Sequence, residues 1–176
     1  GTAFVLLGRF RRYLPWLALL NTRFNSSASQ KSTVQSRYLK MSLDHKSGDM
    51  DGEILLGAFE GQQLSTLSLS DLLTLYQEFS DDNDSLALLH TYLDRHHPDW
   101  TDQAGDTHKA HNAHNATPDN IMSDEEAREI LGVEKDSSKK DIITAHRRLM
   151  QKVHPDHGGS TYLAAKINLA KDYLLK

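Results

Sequence analysis

The sequence has no cysteine among its 176 residues, and this excludes disulfide bonds, cysteine-ligated zinc and thiol nucleophiles. Its apolar content is only 38%, so we expect small hydrophobic cores joined by polar segments. It contains no glycine-rich phosphate-binding loop, no Gly-x-Ser-x-Gly motif and no convincing catalytic pair of side chains. These absences predict a protein that is not an enzyme and that uses no cofactor.

Acidic residues are absent from the first 43 positions, whereas seven basic residues occur there. These are Arg9, Arg11, Arg12, Arg23, Lys31, Arg37 and Lys40. Because the whole chain carries a net charge of −4, the remainder is strongly acidic. A basic, serine-containing and acid-free N-terminus is typical of a targeting segment or of a segment at a membrane surface.

Long apolar runs are also missing from this N-terminus. Residues 3–7 and 13–20 are apolar, but neither run reaches the roughly 20 residues that cross a bilayer. Three interpretations stay open, namely the end of a transmembrane helix, the end of an organellar transit peptide and a soluble amphipathic helix. The chain begins with Gly1, and we expect a further segment before it. An anchor there would make the protein a single-pass, membrane-associated one whose remainder lies on the cytoplasmic or mitochondrial matrix side.

Composition divides the chain into four segments. Residues 1–36 form the basic leader, residues 37–100 a small module, residues 101–121 a flexible His-rich linker, and residues 122–176 a second domain. In the module, the pattern predicts a hairpin of residues 38–43 and 53–59 around a glycine-containing turn. Two helices follow, one capped by Ser70 and ending at Phe79, the other beginning at Asp84 or Ser85. Nothing in the module indicates its role.

Two groups of side chains resemble metal sites, and neither is predicted to be one. The histidines of the linker have a spacing of three that suits zinc on a helix, but low-complexity linker is the favoured interpretation. They are His108, His111 and His114. The acidic residues before Gly52 lack the register of a calcium loop, so they predict a tight turn. These are Asp44, Asp49 and Asp51.

A first His-Pro-Asp triplet at residues 97–99 is interpreted as the end of a helix.

Three helices with clear boundaries are predicted in the C-terminal domain. The first is capped by Ser123 and ends at Gly132. The second begins after Ser138 and ends at Val153, because the following Pro155 disfavours helix. A third helix begins after Ser160 or Thr161 and carries apolar residues at helical spacing. These are Leu163, Ile167, Ala170 and Leu174.

The second helix is predicted to be amphipathic. Its buried stripe is expected to contain Ile142, Ile143, His146, Leu149, Met150 and Val153. Its other side is expected to carry Lys140, Arg147, Arg148, Gln151 and Lys152. Considered alone, such a set of basic residues is also consistent with a solvated face that binds nothing.

The loop that follows this helix favours a binding function. Residues 145–156, AHRRLMQKVHPD, resemble the second helix and HPD loop of J domains, and residues 131–133 and 167–174 match the ends of that family's first and third helices. Order, spacing and length agree over some 55 residues. The stretch from Gly158 to Asn168 is most similar to the membrane-tethered J proteins of the mitochondrial import motor and their bacterial relatives.

This resemblance implies a mainly α protein in which residues 122–176 form a three-helix J domain, its second and third helices making an antiparallel hairpin joined by the HPD loop. A small α+β or helical module would precede it. The implied function is that of a co-chaperone, tethered at a membrane, which stimulates ATP hydrolysis by a DnaK-type chaperone. The implied partner-binding residues are His154, Pro155, Asp156, Lys140, His146, Arg147, Arg148, Gln151 and Lys152.

Within that family, the Asp156 carboxylate would pair with an arginine of the chaperone, Pro155 would shape the loop, and the basic residues would steer the encounter. The sequence departs from the family at His146, where tyrosine is common, and at His157, where a lysine or arginine is usual. A degenerate regulator that binds a chaperone without stimulating it is an alternative, although the intact triplet argues against it. The acidic body of the chain argues against nucleic-acid binding. The client is not indicated.

Overall fold

The computed structural model describes residues 30–104, 122–154 and 159–176. Most of the predicted leader, most of the predicted linker with its three histidines, and positions Pro155, Asp156 and His157 lie outside the described residues. The described residues form one three-stranded sheet and six α-helices. None of those helices combines the length and the apolar character that a membrane crossing requires.

The sheet is antiparallel and follows the chain in the order β1 (Lys31–Gln35), β2 (Leu39–Asp44) and β3 (Met50–Ile54). The predicted hairpin corresponds to β2 and β3, with a shorter second strand than expected. The first strand was not predicted, because its residues were assigned to the leader. It pairs with β2 along its whole length, so these residues belong to the folded module.

A tight turn joins β2 to β3, as the acidic residues predicted. The Asp44 carboxylate accepts hydrogen bonds from the backbone N–H groups of Lys46 and Ser47 at 2.8 and 3.0 Å. These bonds lower the pKa of Asp44. Gly48 has φ +78°, a conformation that side chains with a Cβ rarely adopt.

The module continues with three helices, α1 (Leu69–Glu78), α2 (Asn83–His96) and α3 (Trp100–Ala104). The N-caps are Ser68 and Asp82 rather than the predicted Ser70 and Asp84 or Ser85. Several Ser and Asp residues lie near the start of each helix and could serve as its N-cap. For α1, the capping box of Ser68 with Asp71 fixes the N-cap at Ser68. Helix α2 ends at the first His-Pro-Asp triplet, as predicted.

The last three helices are α4 (Asp124–Leu131), α5 (Lys139–Val153) and α6 (Thr161–Leu174). Their boundaries agree with the predicted ones. Ser123, Ser138 and Ser160 cap the three N-termini, and Gly132 ends α4 in the left-handed conformation. Helix α6 packs against both α4 and α5.

The module and the C-terminal helices are in direct contact. Strand β1 lies against α4, and α2 lies against α6. Thr91 Oγ1 on α2 is 2.7 Å from Ser160 Oγ at the start of α6. The Lys166 ammonium of α6, whose side chain is 5% exposed, lies 3.8 Å from the Asp84 carboxylate of α2 and 3.6 Å from Glu126 of α4. Helix α6 therefore joins the two parts of the protein.

Candidate functional site

The candidate site is built on α5, whose start is fixed by a reciprocal cap. Ser138 N–H donates to the Asp141 carboxylate at 3.0 Å, and Asp141 N–H donates to Ser138 Oγ at 3.3 Å. The hydroxyl and then the backbone N–H of Ser138 lower the pKa of Asp141. An acidic residue here also complements the positive end of the helix dipole. The cap fixes the residue at which α5 begins, and this determines the side of the helix on which each later residue lies.

One side of α5 is buried and the other is exposed. The buried residues are Ile142, Ala145, Leu149 and Val153. The predicted stripe included Ile143, which is 37% exposed, and it omitted Ala145, which is buried. Four of the predicted binding residues are exposed. These are Lys140, Arg147, Gln151 and Lys152.

His146 lies at the border between these two sides. Its Nε2 is 2.7 Å from Asn168 Oδ1 on α6, so this side chain fixes α5 to α6 and is only partly exposed. Asn168 is itself exposed. The structure therefore presents the two residues as one polar pair beside the exposed side of α5.

The chain turns back sharply after α5. His154 N–H closes the helix by donating to Met150 O at 2.9 Å, and the His154 carbonyl accepts from Gly159 N–H at 3.1 Å. Gly159 lies so close to the preceding helix that a Cβ at this position would be 2.1 Å from Val153 O. The loop from residue 154 to residue 159 therefore begins and ends against the last turn of α5. Pro155 and Asp156, between these ends, lie outside the described residues.

The prediction for the surroundings of Arg148 was wrong. This residue was expected on the exposed side, but it is half-buried, and its Nε is enclosed without a hydrogen-bond partner among the described residues. Burial lowers the pKa of its guanidinium. His45, in the turn after β2, is 8% exposed and close enough for the Arg148 charge to lower its pKa. A helical wheel of α5 alone gives no information about this contact.

Comparison with known proteins identifies the C-terminal helices. Residues 126–174 match the family model of the DnaJ domain. This segment is a DnaJ domain. The predicted resemblance to J-domain proteins is thus confirmed. No solved structure matches the chain.

Curated relatives match the same segment. "Mitochondrial import inner membrane translocase subunit TIM14" of Dictyostelium discoideum is 50% identical over 56 residues, which are 32% of this chain and 50% of the relative. TIM14-2 of Arabidopsis thaliana is 52% identical over 54 residues, 31% of this chain and 48% of the relative. TIM14 of Kluyveromyces lactis is 54% identical over 56 residues, 31% of this chain and 34% of the relative. The chain thus spans half or less of the length of these relatives, and the likeness covers the J domain.

The contact of the J domain with the module includes a titratable group. His45 Nε2 is 2.7 Å from Ser32 Oγ, while its Nδ1 is enclosed without a partner among the described residues. Burial and then the neighbouring Arg148 charge lower the pKa of His45, against a smaller opposing effect of Asp44. Protonation of His45 therefore disfavours the folded state.

This predicts a pH dependence of stability. Because the folded-state pKa of His45 lies below the unfolded value near 6.5, the free energy of unfolding is expected to fall as pH decreases from about 6.5 towards the folded pKa. His45→Gln keeps a polar group near Ser32 but cannot be protonated, so its loss of stability over this window should be smaller. Urea denaturation of both proteins between pH 5 and 8 measures the difference. Parallel curves would contradict the prediction.

Sequence reasoning missed one basic residue close to the candidate site. Arg95, near the end of α2, donates from Nη2 to the Gly48 carbonyl at 2.6 Å, and the Lys152 side chain of α5 approaches the same glycine. The turn at Gly48 was predicted from its residues, but no sequence pattern connects it to α2 or α5. Only the packing of the module against the J domain brings the three residues together.

Proposed function

We propose that this protein is a co-chaperone whose J domain stimulates ATP hydrolysis by a DnaK-type chaperone. The observation that carries the proposal is the form of α5. This helix has a buried side against α6, an exposed basic side with Lys140, Arg147 and Lys152, and an end at His154 of the His-Pro-Asp triplet. A set of exposed cations on a helix that leads into a loop is suited to an acidic protein surface.

Each part of this surface has a proposed role. Asp156 offers a carboxylate to an arginine of the chaperone, a charge-assisted pair that asparagine would weaken. The His154 backbone holds the start of the loop by its bonds with Met150 and Gly159, the His154 side chain touches the chaperone, and Pro155 sets the shape of the loop. Lys140, Arg147, Gln151 and Lys152 form the face that meets the chaperone first and raises the association rate. His146 contributes through its pair with Asn168, and the half-buried Arg148 contributes with the exposed part of its side chain.

Membrane association is part of the proposal. The first 43 residues carry seven basic residues and no acidic residue, and the matched relatives are by name subunits of an inner membrane translocase. A tether at the N-terminus would hold the J domain at the membrane, on the cytoplasmic or matrix side. The module would then serve to localise the protein or to bind a further partner.

The test is the steady-state rate of ATP hydrolysis by a DnaK-type chaperone in the presence of the full chain. We expect the parent protein to raise the rate several-fold, and His154→Gln or Asp156→Asn to return it to the basal rate. The duplicated triplet provides matched controls, since His97→Gln and Asp99→Asn make the same chemical changes at the end of α2. These controls should stimulate like the parent, and circular dichroism should show the same helical content for all five proteins.

Two results would count against the proposal. If the parent fails to stimulate several chaperones, the alternative of a regulator that binds without stimulating gains support, and binding should then be measured directly. If the substitutions at residues 154 and 156 leave the stimulation unchanged, the triplet of the J domain does not carry the activity.

A further inference from the structure

Two cations from distant parts of the chain converge beside the loop of the J domain. Gly48 lies between them: a methyl group placed on it would be 3.4 Å from Lys152 Cδ, 3.7 Å from Lys152 Nζ and 3.6 Å from Arg95 Nη2. Arg95 belongs to α2 of the module and Lys152 to α5 of the J domain. Both residues are exposed.

Neither cation is neutralised within the described part of the chain. Arg95 donates to a backbone carbonyl, that of Gly48, and no ion pair with a described carboxylate is formed by Arg95 or Lys152. Two carboxylates near them in sequence have partners of their own. Asp44 accepts from the backbone of its own turn, and Asp94 accepts from Trp100 Nε1 at 2.9 Å. Two like charges held near each other, without an ion pair among the described residues, make the potential at this position more positive.

The position of the pair is continuous with the proposed docking face. Lys152 is the last exposed basic residue of α5, two residues before His154. On the other side of the loop, Thr91 contacts Ser160 at the start of α6. Arg95 follows Thr91 by one helical turn and so lies on the same side of α2. Helix α2 therefore lies beside Val153, Gly159 and Ser160 and adds a residue from the module to the basic surface of α5.

We propose that Arg95 and Lys152 together form a cationic site that binds an acidic surface of the DnaK-type chaperone beside the region contacted by α5. This inference rests on the proposed function and extends it, because it makes the module part of the docking surface. One N–H group of the Arg95 guanidinium donates to the Gly48 carbonyl, which holds the positive charge of Arg95 beside Lys152. Lys152 supplies a second charge at the same point.

The experiment compares three variants of the full chain by the concentration that gives half-maximal stimulation of chaperone ATP hydrolysis. Arg95→Gln is expected to raise this concentration about threefold to tenfold without changing the maximal rate, since removal of a steering charge weakens association. Arg95→Lys should stay close to the parent because the charge remains. Arg37→Gln is the matched control, because it removes an exposed module arginine that is paired with Asp81 at 2.8 Å, and it should behave like the parent.

Salt dependence supplies a second readout that a purely structural role would not change. The difference between the parent and Arg95→Gln should shrink as ionic strength rises. If the parent stimulates and Arg95→Gln has the same half-maximal concentration, the cationic site is refuted while the proposed function stands. If Arg95→Lys is as weak as Arg95→Gln, Arg95 acts by shaping the turn, and direct binding is refuted. A parent that does not stimulate at all overturns both proposals.

Discussion

Replacement of Gly159 with alanine is expected to abolish most of the stimulation of chaperone ATP hydrolysis and to lower the free energy of unfolding by about 2–3 kcal/mol. The new Cβ would lie 2.1 Å from Val153 O and 2.2 Å from Val153 C. Both are backbone atoms, so no change of side-chain rotamer relieves the overlap. The chain must move at the point where the loop of the J domain closes on α5. Loop geometry and stability therefore change together.

The matched control for this prediction is Gly61→Ala. Gly61 has φ +80°, and nothing lies within 4 Å of the position of its Cβ. This substitution should lower stability by about 1 kcal/mol through backbone strain alone and leave stimulation unchanged. Chemical denaturation and steady-state ATP hydrolysis measure the two effects. An alanine at position 159 that preserves full stimulation would show that the loop does not depend on its close approach to Val153.

Local signals predicted the helices of the J domain well. Ser138 with Asp141 marks a helix start by a reciprocal cap, and Gly132 marks a helix end because its conformation suits a residue without a Cβ. Such features depend on residues within a few positions of each other, so a single sequence contains them. The module was predicted less well for the same reason. Its helix starts offer several competing caps, and the structure shows that Ser68 and Asp82 are used.

Features that depend on contacts between distant residues were not predictable in this way. Strand β1 has no strong pattern of its own, and it is defined by its pairing with β2. Arg148 was placed correctly on a basic helix, but it is half-buried, and its charge acts on His45, about a hundred residues earlier in the chain. Arg95 approaches Lys152 only because the module packs on the J domain. The composition of α5 thus indicated a docking helix, and the tertiary contacts determine which of its cations remain available.

Lys166 makes an ionic contact between the module and the J domain. Its side chain is 5% exposed and lies between Asp84 of the module and Glu126 of the J domain. Substitution of Lys166 by methionine keeps the apolar part of the side chain but removes the ammonium that lies between the Asp84 and Glu126 carboxylates. Removal of one member of a buried ion pair costs about 3–5 kcal/mol. Because these carboxylates are 23% and 33% exposed, we expect a loss of about 2–4 kcal/mol here.

Lys171→Met is the matched control, since Lys171 is on the same helix and pairs with its neighbour Asp172 at 3.0 Å. This substitution should cost less than about 1 kcal/mol, as is usual for a pair near the surface. Urea denaturation of both variants tests the difference.

A double-mutant cycle then isolates the contribution of the module. If Lys166 stabilises the folded protein through Asp84, the loss caused by Lys166→Met with Asp84→Asn will be smaller than the sum of the two single losses. Additive losses would mean that the buried lysine is held by Glu126 alone and that no ionic contact couples the module to the J domain. Helix α2 carries Asp84 at its start and Arg95 near its end. Coupling between Lys166 and Asp84 would therefore mean that an ionic contact with the J domain helps to hold the helix that positions Arg95.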